Sequence, residues 1–263
     1  MSKRIAIVFC LTALVLMGAE SAFAQSSKAA WRFSELIALS QSADTDPATP
    51  APTGPTETDW VNILRTHIKT PNAKELAIGV SLQCGIVTDT TVRSKGGDLD
   101  SAAAQARIRV RVKITQPDGN VVYAEPDNGS VLDGGVLPVP PVSATEPRGL
   151  SYCERFQLLE ARFAGLNCTA DATTGAVTCT DPETLRLFLK TLHASHFNFL
   201  HANAVPGVQT IEVQAKAAAG ITLGGTKLGA AGAEAFVGSG ALYVETIRLI
   251  KDANGTTDLD TLR

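Results

Sequence analysis

The sequence lacks the short motifs that mark most enzyme classes. It has no G-x-G-x-x-G loop and no phosphate-binding G-x-x-x-x-G-K, so nothing indicates a nucleotide site. It also has no G-x-S-x-G elbow and no H-E-x-x-H, the usual signs of an α/β-hydrolase and of a zinc protease. We therefore predict a non-catalytic protein without catalytic residues, metal or cofactor. An unrecognised hydrolase is a less favoured alternative, because a convergent site needs no familiar motif.

Aromatic residues and net charge are also scarce. Aromatic side chains make up 5% of the 263 residues, and the formal net charge is −3 at pH 7. A dedicated nucleic-acid binder normally carries a strong basic excess, so we expect no nucleic-acid partner. The hydrophobic fraction of 44% is sufficient for a packed core, and the length suits one large β domain or two small ones.

The first 24 residues have the form of a bacterial secretory signal. Lys3 and Arg4 precede an apolar run over 5–17, and Ala22-Phe23-Ala24 gives a small-x-small cleavage site. The run is short for a membrane span, and small and polar residues follow it at once. We expect cleavage before Gln25, no membrane span in the mature chain, and a secreted protein that is periplasmic or extracellular.

The cysteines are predicted to be structural. Cys10 lies inside the signal, and the mature chain keeps Cys84, Cys153, Cys168 and Cys179. An even number in an oxidising compartment favours disulfides, and four cysteines allow three pairings. The turn-rich stretch 169–178 favours a Cys168–Cys179 bond, which leaves Cys84 for Cys153. Four buried free thiols remain the alternative, and no C-x-x-C spacing suggests a redox or zinc site.

Residues 25–58 are predicted to be an N-terminal extension. A short apolar piece over 31–39 is followed by a tract rich in Pro, Thr, Ala and Asp over 42–58, which has too little apolar surface to fold and reads as a flexible linker. The apolar piece either packs on its own domain or reaches a neighbouring molecule. The sequence leaves both open. Residues 252–263 are predicted to be a C-terminal tail.

The region 59–251 is predicted to be one β domain. Apolar side chains occupy alternate positions at Leu76, Ile78, Val80, Leu82, Cys84 and Ile86, the pattern of a strand with one buried face. A hairpin is predicted from 107–114, a turn at 117–120 and a second strand over 121–123. Further strand candidates are 150–163, 197–203, 208–215 and 236–250.

One helix is predicted between these strands. Thr180 and Glu183 have capping-box spacing, and Pro182 lies where the first helical turn tolerates it. Apolar residues then follow at helical spacing, which predicts a helix from Pro182 to about Ser195. The fold expected is therefore mainly β: an antiparallel β-sandwich of immunoglobulin-like character with one crossover helix and a flexible N-terminal extension.

Several segments resemble a group of uncharacterised secreted bacterial β-sandwich proteins of no known activity. They are IKTPNAKEL at 68–76, VSLQCG at 80–85, TDT at 88–90, HFNF at 196–199, GVQTIEV at 207–213 and GSGALYVE at 238–245. The resemblance covers most of the chain after the Pro-rich tract. It implies a secreted β fold and assigns no site.

The most distinctive surface pattern is a cationic strand. Its alternate positions hold Arg107, Arg109, Arg111 and Lys113. If these four side chains share an open face, they are a binding site for an anionic glycan. The alternative is a solvated sheet face on which they pair with carboxylates such as Glu154 or Glu160.

Three histidines lie close in sequence, at His193, His196 and His201. No acidic residue lies at a spacing that requires a metal site, so ordinary packing is the favoured interpretation. The function we expect is a secreted structural or interaction protein, with self-assembly at or outside the cell surface, or a cell-surface partner, as its mode of action. The alternative is a binding module for an anionic glycan.

Overall fold

The structure is a computed structural model that describes residues 29–35, 39–44, 55–94, 98–126, 149–162, 168–179, 183–225 and 229–248. The predicted signal peptide and C-terminal tail lie outside these ranges. The described residues form β-strands joined by turns, and none of these ranges contains a helix.

The strands are, in chain order, β1 (Ala29–Ser34), β2 (Leu39–Asp44), β3 (Thr56–Glu57), β4 (Val61–Thr70), β5 (Lys74–Ser94), β6 (Leu99–Thr115), β7 (Val121–Tyr123), β8 (Glu125–Pro126), β9 (Leu150–Arg162), β10 (Cys168–Ala170), β11 (Val177–Cys179), β12 (Glu183–Ala204), β13 (Gly207–Gly225) and β14 (Ala230–Ile247).

The first of two large sheets, here the front sheet, has the strand order β1-β14-β5-β12-β8, and β2 also pairs with β14. All its pairings are antiparallel. The pairing of β5 with β12 runs from Ser94 opposite Glu183 to Lys74 opposite Ala204. Strands of 21 and 22 residues are far longer than the usual five or six, so this ladder dominates the sheet.

The second large sheet, here the back sheet, has the order β3-β13-β6-β7. β4 lies beside β3 along the same side of β13, and β9 lies beside β7 along the same side of β6. These pairings are antiparallel as well, and the pairing of β6 with β7 confirms the hairpin predicted there. β10 and β11 form a separate two-stranded sheet.

The core lies between the two large sheets. Alternate residues of β5 point into it, and Leu76, Ile78 and Val80 have no exposed surface. β6 and β13 supply the facing layer, including Ile108 and Val213. The alternating pattern therefore predicted the buried face of β5 correctly, because one side of this strand is packed against the other sheet.

A disulfide between Cys84 of β5 and Cys153 of β9 joins the front sheet to the back sheet. This pairing is confirmed. Cys168 and Cys179 are directly opposite each other in the backbone register of β10 and β11, as expected for the predicted hairpin. Their side chains lie outside the described part of the chain, so a Cys168–Cys179 bond stays a prediction.

The helix predicted from Pro182 to about Ser195 is wrong where the structure describes the chain. Residues from Glu183 onward belong to β12, which pairs residue by residue with β5. Leu185, Leu187 and Leu189 also alternate with non-leucine positions, a period of two. The long β5 ladder satisfies the backbone of this segment and outweighs its helical start signal.

The predicted N-terminal extension is part of both sheets. β1 and β2 extend the front sheet along β14, and β3 pairs with Ala218 and Ala219 of β13. The linker predicted over 42–58 therefore begins and ends in strands. The part of it over 45–54 lies outside the described residues.

Candidate functional site: the free edge of the front sheet

The cationic strand is not an open surface. The side chains of Arg107, Arg109 and Arg111 lie on the outer side of the back sheet but are only 1%, 4% and 5% exposed as residues. Glu57 of β3 reaches them across β13, because Glu57, Ala218 of β13 and Arg107 of β6 lie in one row of the sheet. The face of β6 that was predicted to be solvated is therefore covered at these three arginines.

Glu57 is shared by three cations. The Arg109 Nη2 group donates to both carboxylate oxygens at 2.6 and 2.7 Å, the Arg107 Nη2 group lies 3.2 Å away, and the Lys216 Nζ group lies at 3.1 Å. Burial acts to raise the pKa of Glu57, but the neighbouring Arg109, Lys216 and Arg107 outweigh it and lower that pKa. The carboxylate is therefore ionised and fixed in place.

The other two cations of this strand, Arg111 and Lys113, also have partners within the protein. The Arg111 guanidinium stacks on Trp60 at 4.2 Å and on Tyr123 at 4.8 Å, and its Nε donates to Gln214 at 2.7 Å. Lys113, whose side chain is 27% exposed, pairs with Glu212 at 3.2 Å. The predicted partner Glu154 does lie opposite Arg107 in register. Anion binding by the cationic strand stays a prediction, and the burial of Arg107, Arg109 and Arg111 gives it no support.

The three histidines of β12 do not converge. His193 and His196 are three residues apart in a strand, so their side chains point to opposite faces. His196 bonds to Ser81 at 2.7 Å and to Asn198 at 2.9 Å on the outer face. His201 is partly buried, and burial lowers its pKa. No cluster of three metal-ligating side chains occurs among the described residues.

The disulfide borders a cavity of about 220 Å³ between β5, β9 and β12. Tyr152 forms part of its wall, and the Tyr152 hydroxyl accepts a 2.8 Å bond from the Leu82 N–H and donates to the Ser195 carbonyl. Burial raises the pKa of Tyr152 to about 12, although the bond from Leu82 acts against this. These contacts hold the two sheets together.

The outer edge of β12 is largely unpaired among the described strands. β8 pairs with β12 only at Phe199 and Leu200. Between Glu183 and Asn198, no described strand pairs with β12 on the side away from β5. Side chains of β9 reach two carbonyls of this stretch, with Gln157 donating to Leu187 and Tyr152 donating to Ser195.

Large apolar side chains flank this free edge. Five of them are between 38% and 56% exposed: Leu185, Leu187, Phe188, Leu189 and Leu192. Soluble proteins normally protect a long edge strand by covering, shortening or charging it, because an open ladder recruits other strands. Arg186 and Lys190 are the charges on the outer face here. The edge is thus a surface suited to adding a strand.

The opposite edge of the front sheet is formed by the N-terminal segment. Leu39 of β2 is buried, whereas Trp31 and Phe33 of β1 are exposed. Gln41 of β2 bonds to Thr56 of β3 at 2.9 Å, which joins the segment to the back sheet. The N-terminal apolar piece therefore packs on its own domain in this structure.

The sequence analysis missed the free edge because it assigned 182–195 to a helix. The signal that could have found it is the run Leu185, Leu187, Leu189, whose period of two is shorter than a helical repeat. A strand with large apolar residues on both faces indicates either a buried strand or an exposed edge.

Comparisons with known proteins add little. No sequence profile of a protein family matches this chain, and no curated protein matches it, so the resemblance noted above stays a prediction. Among solved structures, the infectious bursal disease virus Gx strain aligns with 84% of this chain and 41% of its own, at 10% identity and a TM-score of 0.18. The VP2 subviral particle of that virus aligns at 10% identity and a TM-score of 0.17, over 85% of this chain and 42% of its own. The chain thus spans about two fifths of these proteins, and a likeness this weak supports no argument.

No helix in the described ranges is long and apolar enough to cross a membrane. The Cys84–Cys153 bond is the kind of bond that persists outside the reducing cytoplasm.

Proposed function

We propose that this protein is a secreted, non-catalytic structural protein that associates with copies of itself at or outside the cell surface. The observation that carries the proposal is the free edge of β12, where backbone groups and five large apolar side chains are exposed together. The sandwich, which we expect to be immunoglobulin-like, is the scaffold that presents this edge.

Edge pairing gives both affinity and direction. An added strand takes up the backbone N–H and C=O groups of β12 while removing the side chains of Leu185, Phe188 and Leu192 from water. Each large apolar side chain that becomes fully buried contributes about 1.5–3 kcal/mol before the entropy of association is subtracted. A few such residues are enough for association at the high local concentrations of a cell surface.

The rigidity of the rest of the molecule also suits a structural role. A disulfide joins the sheets, and the described charged side chains around Glu57 are held in a fixed network. A cell-surface protein of different sequence remains the alternative partner for the same edge. It predicts a mature protein that stays monomeric alone.

The test is the oligomeric state of the purified mature chain, residues 25–263. We expect concentration-dependent assembly in sedimentation velocity and particles or filaments in electron microscopy. Leu192→Lys should weaken assembly, because it places a charge in the interface. Leu158→Lys is the matched control: Leu158 is 51% exposed, close to the 56% of Leu192, but it lies on β9 in the back sheet.

A mature protein that remains monomeric at millimolar concentration would overturn self-association. Equal losses of assembly in both variants would show a general effect of removing surface leucines and would also contradict a role for the β12 edge.

A further inference from the structure

We propose that the outer face of the front sheet carries a binding site for a neutral glycan, at the end of the sheet where β1 pairs with β14. The site is built on one row of side chains, here the aromatic row, which crosses the sheet from Trp31 to Asn198. It lies apart from the exposed apolar side chains at 185–192 of β12, so the inference goes beyond self-association and does not depend on it.

The register of four strands aligns the aromatic row. Trp31 of β1 is directly opposite Tyr243 of β14. Tyr243 is opposite Gly79 of β5, and Gly79 is opposite Asn198 of β12. Neighbouring strands lie about 4.8 Å apart, so the row spans about 14 Å. This length accommodates more than one sugar ring.

The aromatic side chains of this region point to solvent. Trp31 is 74% exposed and Tyr243 is 45% exposed, whereas Leu242 and Val244 on either side of Tyr243 are buried in the core. Phe33 lies two residues from Trp31, on the same face, and is 49% exposed. In a chain with only 5% aromatic residues, an exposed aromatic group of this kind marks an interaction site.

The imidazole ring of His196 continues the row. A Cβ at Gly79 would lie 2.8 Å from the Cε1 atom of His196, so the ring lies across the backbone of Gly79. Ser81 bonds to its Nδ1 atom at 2.7 Å, and Asn198 bonds to its Nε2 atom at 2.9 Å. The plane of the ring is therefore fixed next to Tyr243 in the absence of a ligand, which lowers the entropic cost of binding.

The chemistry of the row matches that of a sugar chain. A pyranose ring has a C–H-rich face that packs on the negative face of an aromatic ring, and its hydroxyl groups need polar partners at the rim. Gly79 and Ala241 leave the floor of the site low, so a ring can approach the sheet closely. The Tyr243 hydroxyl donates to Glu245 at 2.9 Å and keeps its oxygen as an acceptor at the rim.

Charge selects a neutral glycan over an acidic one. Glu245 lies on the same face as Tyr243 and accepts hydrogen bonds from hydroxyl groups, but it repels carboxylate and sulfate groups. The described rows of Trp31 and Phe33 contain no lysine or arginine. β-1,4-linked chains of glucose or N-acetylglucosamine fit best, because their equatorial linkages give a flat ribbon with C–H-rich faces.

The first test is titration calorimetry of the mature chain, residues 25–263, with cellohexaose, chitohexaose and polygalacturonate. We expect saturable binding of at least one neutral hexaose and weaker binding of polygalacturonate. Trp31→Ala and Tyr243→Ala should each weaken binding about tenfold, because each removes a stacking surface. Phe156→Ala is the matched control: Phe156 is 43% exposed, close to the 45% of Tyr243, but it lies on β9 in the back sheet.

Tryptophan fluorescence locates the site. The chain has two tryptophans, Trp31 and Trp60, and Trp60 stacks on Arg111 of the back sheet. The bound hexaose should therefore change the emission of the parent and leave that of Trp31→Ala unchanged.

Three results would each overturn this inference: no binding of either hexaose by the parent, tighter binding of polygalacturonate, or equal affinities of Trp31→Ala and the parent. Leu192→Lys, which should weaken assembly, should bind the hexaose as the parent does. Failure of self-association and failure of the glycan site are therefore distinguished by separate measurements.

Discussion

Replacement of Glu57 by Gln should destabilise the fold strongly, although Glu57 lies in a two-residue strand near the N-terminal end of the domain. The carboxylate receives bonds from Arg109 and lies within 3.2 Å of Arg107 and 3.1 Å of Lys216. The amide keeps the size of the side chain but removes its charge, so three neighbouring cations lose a counter-charge in a covered site.

The magnitude follows from the burial of these groups. Removal of one partner from a buried ion pair costs about 3–5 kcal/mol, because the remaining charge cannot recover its hydration. Lys216 is partly exposed and can turn toward water, so we expect about 3 kcal/mol for Glu57→Gln. Arg107 is nearly fully buried and cannot relax in this way.

Urea unfolding of the mature protein, followed by circular dichroism, measures this loss. Asp89→Asn is the matched control, because Asp89 forms an equally short ion pair with Arg186 on the exposed outer face. Surface pairs contribute about 0–1 kcal/mol, so Asp89→Asn should change stability little. If the two variants lose the same free energy, the covered charge network is not a stabilising unit.

The pH dependence has a definite sign. Because the folded pKa of Glu57 lies below the reference value of 4.5, its contribution to stability is present above pH 4.5 and is lost as the pH falls through the folded pKa. The stability difference between the parent and Glu57→Gln should therefore be largest near neutral pH. A difference that grows on acidification would contradict this assignment.

Three further predictions concern the contact between the sheets and the outer face. Replacement of Cys84 and Cys153 by Ser should cost about 4 kcal/mol in urea unfolding, because the bond closes a loop of 69 residues, and dithiothreitol should destabilise the parent more than the variant. Gly85→Ala should cost about 1–3 kcal/mol, since a Cβ there would lie 2.0 Å from the ring of Phe236, and in a Phe236→Ala background this cost should disappear. Tyr152→Phe should cost about 1–2 kcal/mol, and it should reduce the loss of stability expected for the parent above pH 10, because the folded pKa of Tyr152 is raised to about 12 and its neutral form is favoured in the folded state.

The parts of the fold that were predictable from sequence are those fixed by local alternation. Leu76 to Ile86 alternate with small or polar residues because only one side of β5 faces the other sheet. The bond between Cys84 and Cys153 followed from the count of cysteines and the turn-rich stretch between the other two. Both features could be read from the sequence without knowledge of which strands pair in the fold.

The parts that were not predictable depend on partners distant in sequence. Residues from Glu183 onward carry the start signal of a helix, but the ladder with β5, about 100 residues earlier, decides their conformation. The alternation of Arg107 to Lys113 correctly indicated one shared face. It could not show that Glu57 and Trp60 cover that face, because Glu57 comes from the segment that composition assigns to a linker and Trp60 from the first residues of the predicted β domain.

The position of β14 has a consequence for the order in which the chain folds. β14 is the last described strand, yet it lies between β5 and the two N-terminal strands β1 and β2. The N-terminal strands therefore have no place to pair until a segment about 200 residues later has arrived, which is a contact of very high sequence separation. Folding of the front sheet is thus expected to be slow and to finish only after Ala230–Ile247 is available, whereas β6, β9 and β13 can meet earlier. Until β14 pairs, the other strands of the front sheet have exposed edges. These edges can add strands from other chains, as the free edge of β12 can in the folded protein.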